Sequence, residues 1–136
     1  MPTTQATIPL LHKFLGIGLM GVAAACVVLR YFGIAPLPQD SVTPVIAYTL
    51  SGIAVVMMVV AIFVFKPRVR ARAAGQPLEQ YWSTPDVGAK ILPLWFLLEG
   101  AGTVAAVGYL LTGEAVSAIA AGAAIVAFWL NGPQRA

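Results

Sequence analysis

The sequence predicts an all-helical membrane protein with four transmembrane helices in one antiparallel bundle. Three observations predict it. The first is composition: of 136 residues, 60% are hydrophobic and 10% are charged, and the mean hydropathy is +0.88. A soluble domain averages about 45–50% apolar and about 25% charged residues, so this chain lacks the polar residues to cover a water-exposed surface. The second is a set of four apolar runs, each near the ~20 residues that span a hydrocarbon core of about 30 Å. The third is that most charges lie between those runs. The single cysteine, Cys26, excludes a disulfide scaffold. The apolar content excludes disorder. The runs lack the period-2 alternation of a barrel wall, and four strands cannot close a barrel.

The first span covers about residues 14–34, with Arg30 near its end. Lys13 followed by this run has the outline of a signal peptide, with Ala23-Ala24-Ala25 as a cleavage site. That site sits inside the apolar run, which favours a retained span. The second span, about residues 45–65, holds no charge. The third, about residues 91–112, contains Glu99, and the fourth, about residues 115–131, is shorter. Pro36, Pro38 and Asp40 mark the first turn, and Gly113-Glu114 marks the last. Both are short, so spans 1 and 2, and spans 3 and 4, are expected as antiparallel neighbours.

The middle connection, residues 66–90, is polar and basic. Four spans place it on one side with both termini, and that side then carries Lys13, Lys66, Arg68, Arg70, Arg72, Lys90 and Arg135, seven of the eight basic residues. Basic residues are retained on the cytoplasmic face, so both termini are expected there, in a cell's inner (cytoplasmic) membrane. The sequence pI of 9.4 reflects this bias and needs no nucleic-acid partner. Arg68, Arg70, Arg72 and Trp82 are candidates for contact with lipid headgroups or a partner, at about 1 kcal/mol per basic residue near an anionic surface. Asp86, just after Pro85, is expected to cap a helix that begins before the membrane. Tyr31, Tyr48, Trp82, Trp95, Tyr109 and Trp129 fall near span ends, as an interfacial aromatic belt would.

Helices in lipid associate through close contact, so small residues mark interfaces. Gly21 and Ala25 in span 1, Gly102 and Ala106 in span 3, and Ala118 and Gly122 in span 4 are the expected packing residues. Span 2, with Val55-Val56-Met57-Met58-Val59-Val60, is bulky and is expected to face lipid or a partner.

Glu99 is the outlier. It lies about 12 Å inside its span at 1.5 Å per residue, near the midplane. A charged carboxylate there costs several kcal/mol, so a neutral acid is expected, sharing its proton with Thr49, Ser51, Thr103 or a backbone carbonyl. Arg30 is about 15 Å away along the axis. Two readings stand: a proton- or cation-binding carboxyl with Thr103, and a polar clamp between helices. His12, at the mouth of span 1, is too shallow for a haem or pigment ligand. Arg30 is expected to snorkel to the outer headgroups. Cys26 reads as a small buried residue. Neither a metal cluster nor a Ser/His/Asp set is present, and no cofactor is expected.

The stretch Ile91-Leu92-Pro93-Leu94-Trp95-Phe96-Leu97-Leu98-Glu99-Gly100-Ala101-Gly102-Thr103, continuing to Leu111, resembles the carboxylate-bearing helix of the proteolipid subunits of rotary ATP synthases and ATPases. It is also similar to uncharacterised bacterial four-span membrane proteins. In the rotary family that carboxylate binds the transported proton or sodium ion, a role the resemblance assigns to Glu99. This chain departs from the family in span 2, which has Gly52 alone where the family has a glycine stripe, and in its long middle loop, with Gly75-Gln76-Pro77 for the family's Arg-Gln-Pro-like turn. Small size, sparse intramembrane polarity and a basic aromatic loop fit a non-catalytic accessory or structural subunit. Its expected partners are the bilayer and other membrane subunits or copies of itself. Proton or cation transport through Glu99 is the alternative. Cysteine labels introduced after Gln39 and after Gln76 should react from opposite sides of the membrane; reaction of both from outside would overturn the four-span reading.

Overall fold

Every regular element among the described residues is a helix, because apolar residues run without the alternation a strand requires. The computed structural model describes residues 4–34 and 40–133. In chain order these form α1 (Thr4–Tyr31), α2 (Thr43–Val60), a short α3 (Leu78–Ser83), α4 (Pro85–Thr112) and α5 (Ala115–Leu130). Three stretches, Thr7–Tyr31, Thr43–Arg68 and Pro85–Thr112, are long and apolar enough to cross a membrane. At 16 residues, α5 is shorter, about 24 Å at 1.5 Å per residue. Pro36 and Pro38, the expected markers of the first turn, and Arg135, counted in the charge bias, lie outside the described residues.

Local chemistry sets the helix ends. Asp40 Oδ1 accepts the backbone N–H of Val42 at 2.9 Å and of Thr43 at 3.2 Å, holding the entry to α2. Pro44 follows in the first turn, where its missing N–H costs nothing. At the other end, Pro67 lacks an N–H and its ring crowds the carbonyl four residues back. The helix widens there into a π turn, Ala61–Phe65, and the Lys66 N–H reaches Ala61 O. Gly113 ends α4 at φ +68°, its N–H on Tyr109 O at 2.7 Å, and α5 turns back at once. Helix α4 starts at Pro85, before the expected span. Thr84 is its N-cap residue, so Asp86 is not the cap. Asp86 instead sits in the first turn, where the helix dipole favours an acid, and pairs with Lys90 at 3.1 Å.

Helix α4 is the spine. It packs against α1, α2, α3 and α5, whereas α1 and α2 do not pack along each other. Helices α4 and α5 are therefore the antiparallel neighbours expected, and α1 and α2 are not, because they take opposite flanks of α4. One end of the bundle, the loop end, holds Ile8, Tyr81, Trp82, Val87, Ile91, Leu94, Trp95 and Phe128. The other, the turn end, holds Cys26, Ala54, Ala101, Ala105, Ala106, Ala120, Ala121 and Ala124.

The packing corrects several expectations. Gly102 and Ala106 are buried, and a Cβ on Gly102 would lie 2.6 Å from Leu19 Cδ1 of α1. Gly21 and Ala25 are exposed; Leu19, Cys26 and His12 form the buried line of α1 instead. Ala118 and Gly122 are likewise exposed, and α5 packs through Ser117, Ala120, Ala121, Ala124 and Phe128. Small residues encircle α1 and α5, so smallness alone does not choose the face. Helix α2 is no lipid-facing outsider. Ala47, Ser51, Ala54 and Ala61 share a buried stripe against α4 and α5, while Val55, Val56 and Val59 point outward. Ser51 and Ser117 hydroxyls meet at 3.2 Å across that interface. Replacing Gly102 by Ile should lower stability in detergent by about 1–3 kcal/mol through overpacking. The same change at Gly21 or Gly122, where an added Cβ meets nothing within 4 Å, should leave the melting temperature unchanged.

Candidate functional site

Two places gather polar chemistry. The first is a strip of α4. Successive residues of an α-helix turn by about 100°. Gly102 faces α1 through Leu19, and Gly100 faces α2 through Met57, whose Cε lies 2.8 Å from where a Cβ would be. Glu99 and Thr103 fall on the arc between those two contact lines, on the side away from α5. Because α1 and α2 do not pack on each other, this arc is the floor of an open groove. Phe96 and Val107 on it are exposed, and Glu99 and Thr103 are partly exposed.

The Thr103 hydroxyl donates to Glu99 Oε1 at 3.2 Å, one helical turn on. Thr49 turns instead to Val45 O at 2.7 Å, and Ser51 to Ser117, so of the three hydroxyls expected near Glu99 only Thr103 reaches it. Among the described residues the one ion pair is Lys90–Asp86, so no cation meets Glu99. Arg30 is engaged elsewhere. Its Nη1 reaches Leu110 O at 3.5 Å, and its guanidinium fills the space beside Gly113. It rests on the negative end of the α4 dipole. Leu110 lies about 16 Å along the axis from Glu99. No buried side-chain N or O atom among the described residues lacks a partner, so the unpaired Glu99 Oε2 opens into the groove.

The second place is the loop end. His12, at the mouth of α1, is buried at its centre. Its Nε2–H donates to Phe128 O at 3.1 Å, and its ring stacks on Phe128 with centroids 4.2 Å apart. Trp95 Nε1–H donates to Asn131 O at 2.8 Å. Trp82 is buried beside Tyr81 and Trp95, in the protein's own core rather than at a lipid or partner surface. Tyr31, Tyr48 and Trp129 are exposed near helix ends. Arg68, Arg70 and Arg72 are not buried, and Arg68 lies 5.6 Å from the centroid of Phe65. Two cavities flank the end of α5. One, of about 450 Å³, is lined by residues that include Lys66, Val69, Tyr81, Ile91, Leu94 and Leu130. The other, of about 400 Å³, is lined by His12, Lys13, Ile17 and Trp129 among others.

Sequence reasoning missed His12 and Trp95 as organisers of this end. The His12–Phe128 bond joins residues 116 apart, and no local pattern announces it. Among the described residues, no three His, Cys, Asp or Glu side chains converge on a metal-sized site. No family model, curated protein or solved structure matches the chain.

Tyr81 fastens the middle connection to the bundle. Its hydroxyl donates to Arg70 O at 2.6 Å, and burial holds the phenol above its usual value of 10.0. An acid raised in the folded state gives stability that is complete below its unfolded pKa and lost as pH rises through the folded value. The near-UV circular dichroism of the Tyr81–Trp82 pair should hold to about pH 10, the ordinary tyrosine value, and collapse only above it. Tyr81→Phe should speed tryptic cleavage after Arg70 and Arg72 several-fold at neutral pH; an unchanged rate would show that the bond does not hold the loop.

Proposed function

We propose that the protein is a non-catalytic assembly subunit of a larger membrane complex, with four spans and with both termini and the residue 66–84 connection on the cytoplasmic side. The observation that carries this reading is the groove between α1 and α2. A polar pair, Glu99–Thr103, lies on its floor, and α1 and α2 leave it uncovered. A carboxyl open to hydrocarbon has nothing to compensate it, whereas a helix laid into the groove supplies donors and excludes lipid. The positive-inside bias of Lys13, Lys66, Arg68, Arg70, Arg72 and Lys90 supports the orientation. With four spans, α5 crosses as the shortest helix, and local thinning of the bilayer or snorkelling of flanking residues accommodates it.

A second reading is favoured by the Thr103–Glu99 hydrogen bond. A hydroxyl and a carboxyl within one helical turn form a proton- or cation-binding pair, as the resemblance to proteolipid subunits implies. Purification in mild detergent separates the two. The assembly reading expects foreign membrane chains to co-purify, to remain with Glu99→Gln, which keeps size and hydrogen bonding, and to be lost with Glu99→Leu. The ion-binding reading expects a ring of identical subunits, carbodiimide labelling at Glu99 that fades as pH rises, and loss of proton or sodium coupling in Glu99→Gln with assembly intact. A monomer without partners, unaltered by either substitution, would sink both.

A further inference from the structure

The cavity of about 450 Å³ at the loop end has the build of a site for an amphiphile. Its inner wall is apolar: Ile91 and Leu94 of α4, both buried from the general surface, and Leu130 of α5. Its rim is polar, with Lys66, Tyr81 and Asn131. Lys66 belongs to no ion pair among the described residues, so its ammonium is available to an anion. The π turn at Ala61–Phe65 lies immediately before Lys66, and widened turns of this kind recur at functional sites. The far rim is the extended Val69, whose neighbour Arg70 is held by the Tyr81 hydroxyl.

The end of α5 would repel an anion if its carbonyls were bare. They are not. Phe128 O accepts from His12, Asn131 O from Trp95, and Ala127 O from the Asn131 side chain at 2.7 Å. With those carbonyls satisfied, Lys66 sets the sign of the rim.

We infer that this cavity binds one anionic phospholipid, its phosphate against Lys66 and an acyl chain along Ile91, Leu94 and Leu130. The inference rests on the membrane-spanning reading above. It goes beyond surface attraction by a basic loop, because it places a lipid chain against Ile91 and Leu94, which are buried from the general surface.

The full-length protein is reconstituted in bilayers containing a phosphatidylglycerol or a phosphatidylcholine with a photoactivatable acyl chain, and crosslinked peptides are mapped. Phosphatidylglycerol should label Ile91 and Leu94 in preference to phosphatidylcholine. Lys66→Gln should lower that labelling roughly fivefold, the factor for about 1 kcal/mol per basic residue. Lys66→Arg should restore it, and Arg72→Gln, away from the cavity, should leave it unchanged. Val69→Trp, which fills the mouth, should abolish it while the melting temperature holds. Equal labelling by the two lipids, no labelling at Ile91 and Leu94, or equal losses in Lys66→Gln and Arg72→Gln would overturn the site. Displacement by excess inorganic phosphate would assign the rim to free phosphate and overturn the lipid. A chain that stays dissolved without detergent would overturn the membrane reading itself, a different failure from these.

Discussion

Buried backbone carbonyls need partners, and the C-terminal end of α5 is where this protein meets that demand most heavily. The last four carbonyls of any helix have no partner within it. A buried polar group left without a partner costs about 1–3 kcal/mol. At the end of α5 the side-chain donors come from three sources: His12 for Phe128, Trp95 for the C-cap residue Asn131, and the Asn131 amide for Ala127. The first two belong to α1 and α4. Satisfying α5 therefore draws three helices together at one end, and the rings that carry the donors also pack there. His12 is stacked on Phe128 and in contact with Trp95 and Trp129. The same logic recurs at the other end of α4, where Arg30 of α1 lies on the last turn. Helix α1 thus supplies a side-chain donor to each end of the bundle, which explains how it holds its place with so little of its surface buried.

Between those ends the packing works by size. Helix α4 touches α1 at Gly102, α2 at Gly100, and both α2 and α5 at Gly108, where Leu50 and Ser117 come within 3.4 Å of the missing Cβ. Close approach of this kind gives van der Waals contact where no hydrophobic gain is available. Three neighbours set around one central helix need not touch one another all the way round. The chain closes the α2–α5 side, with Ser51 on Ser117, and leaves the α1–α2 side open. The groove is thus a consequence of the α4-centred arrangement, and Glu99 lies on its floor.

The apolar runs, the short Gly113 turn and the all-helical class are legible in the sequence because each is a local property. Composition and run length find a helix whatever it packs against. The faces are not legible. Gly21 and Ala25 have the spacing of a packing pair, yet α1 meets α4 through Leu19 and Cys26. In α2 the run of Val and Met conceals Ala47, Ser51, Ala54 and Ala61, a stripe visible only at helical spacing. Trp82 has an interfacial look because it sits in a polar stretch. It is buried because α3 folds that stretch back onto α1 and α4. Pro85 opens α4 itself, since proline at the first helical position starts a helix as readily as it ends one, and this moves the cap from Asp86 to Thr84.

Glu99 is legible as an oddity, and its surroundings give the oddity a direction. Thr49, Ser51, Thr112 and Ser117 each find a partner on their own helix or the neighbouring one. His12 and Trp95 are committed to α5. Thr103 commits its hydroxyl to Glu99, which leaves the carboxyl with an oxygen beyond what the chain itself satisfies. A carboxyl serving only as an internal clamp would bond a second helix. This one bonds its own helix and faces the groove. Its remaining hydrogen-bonding capacity is directed out of the bundle, into the groove between α1 and α2.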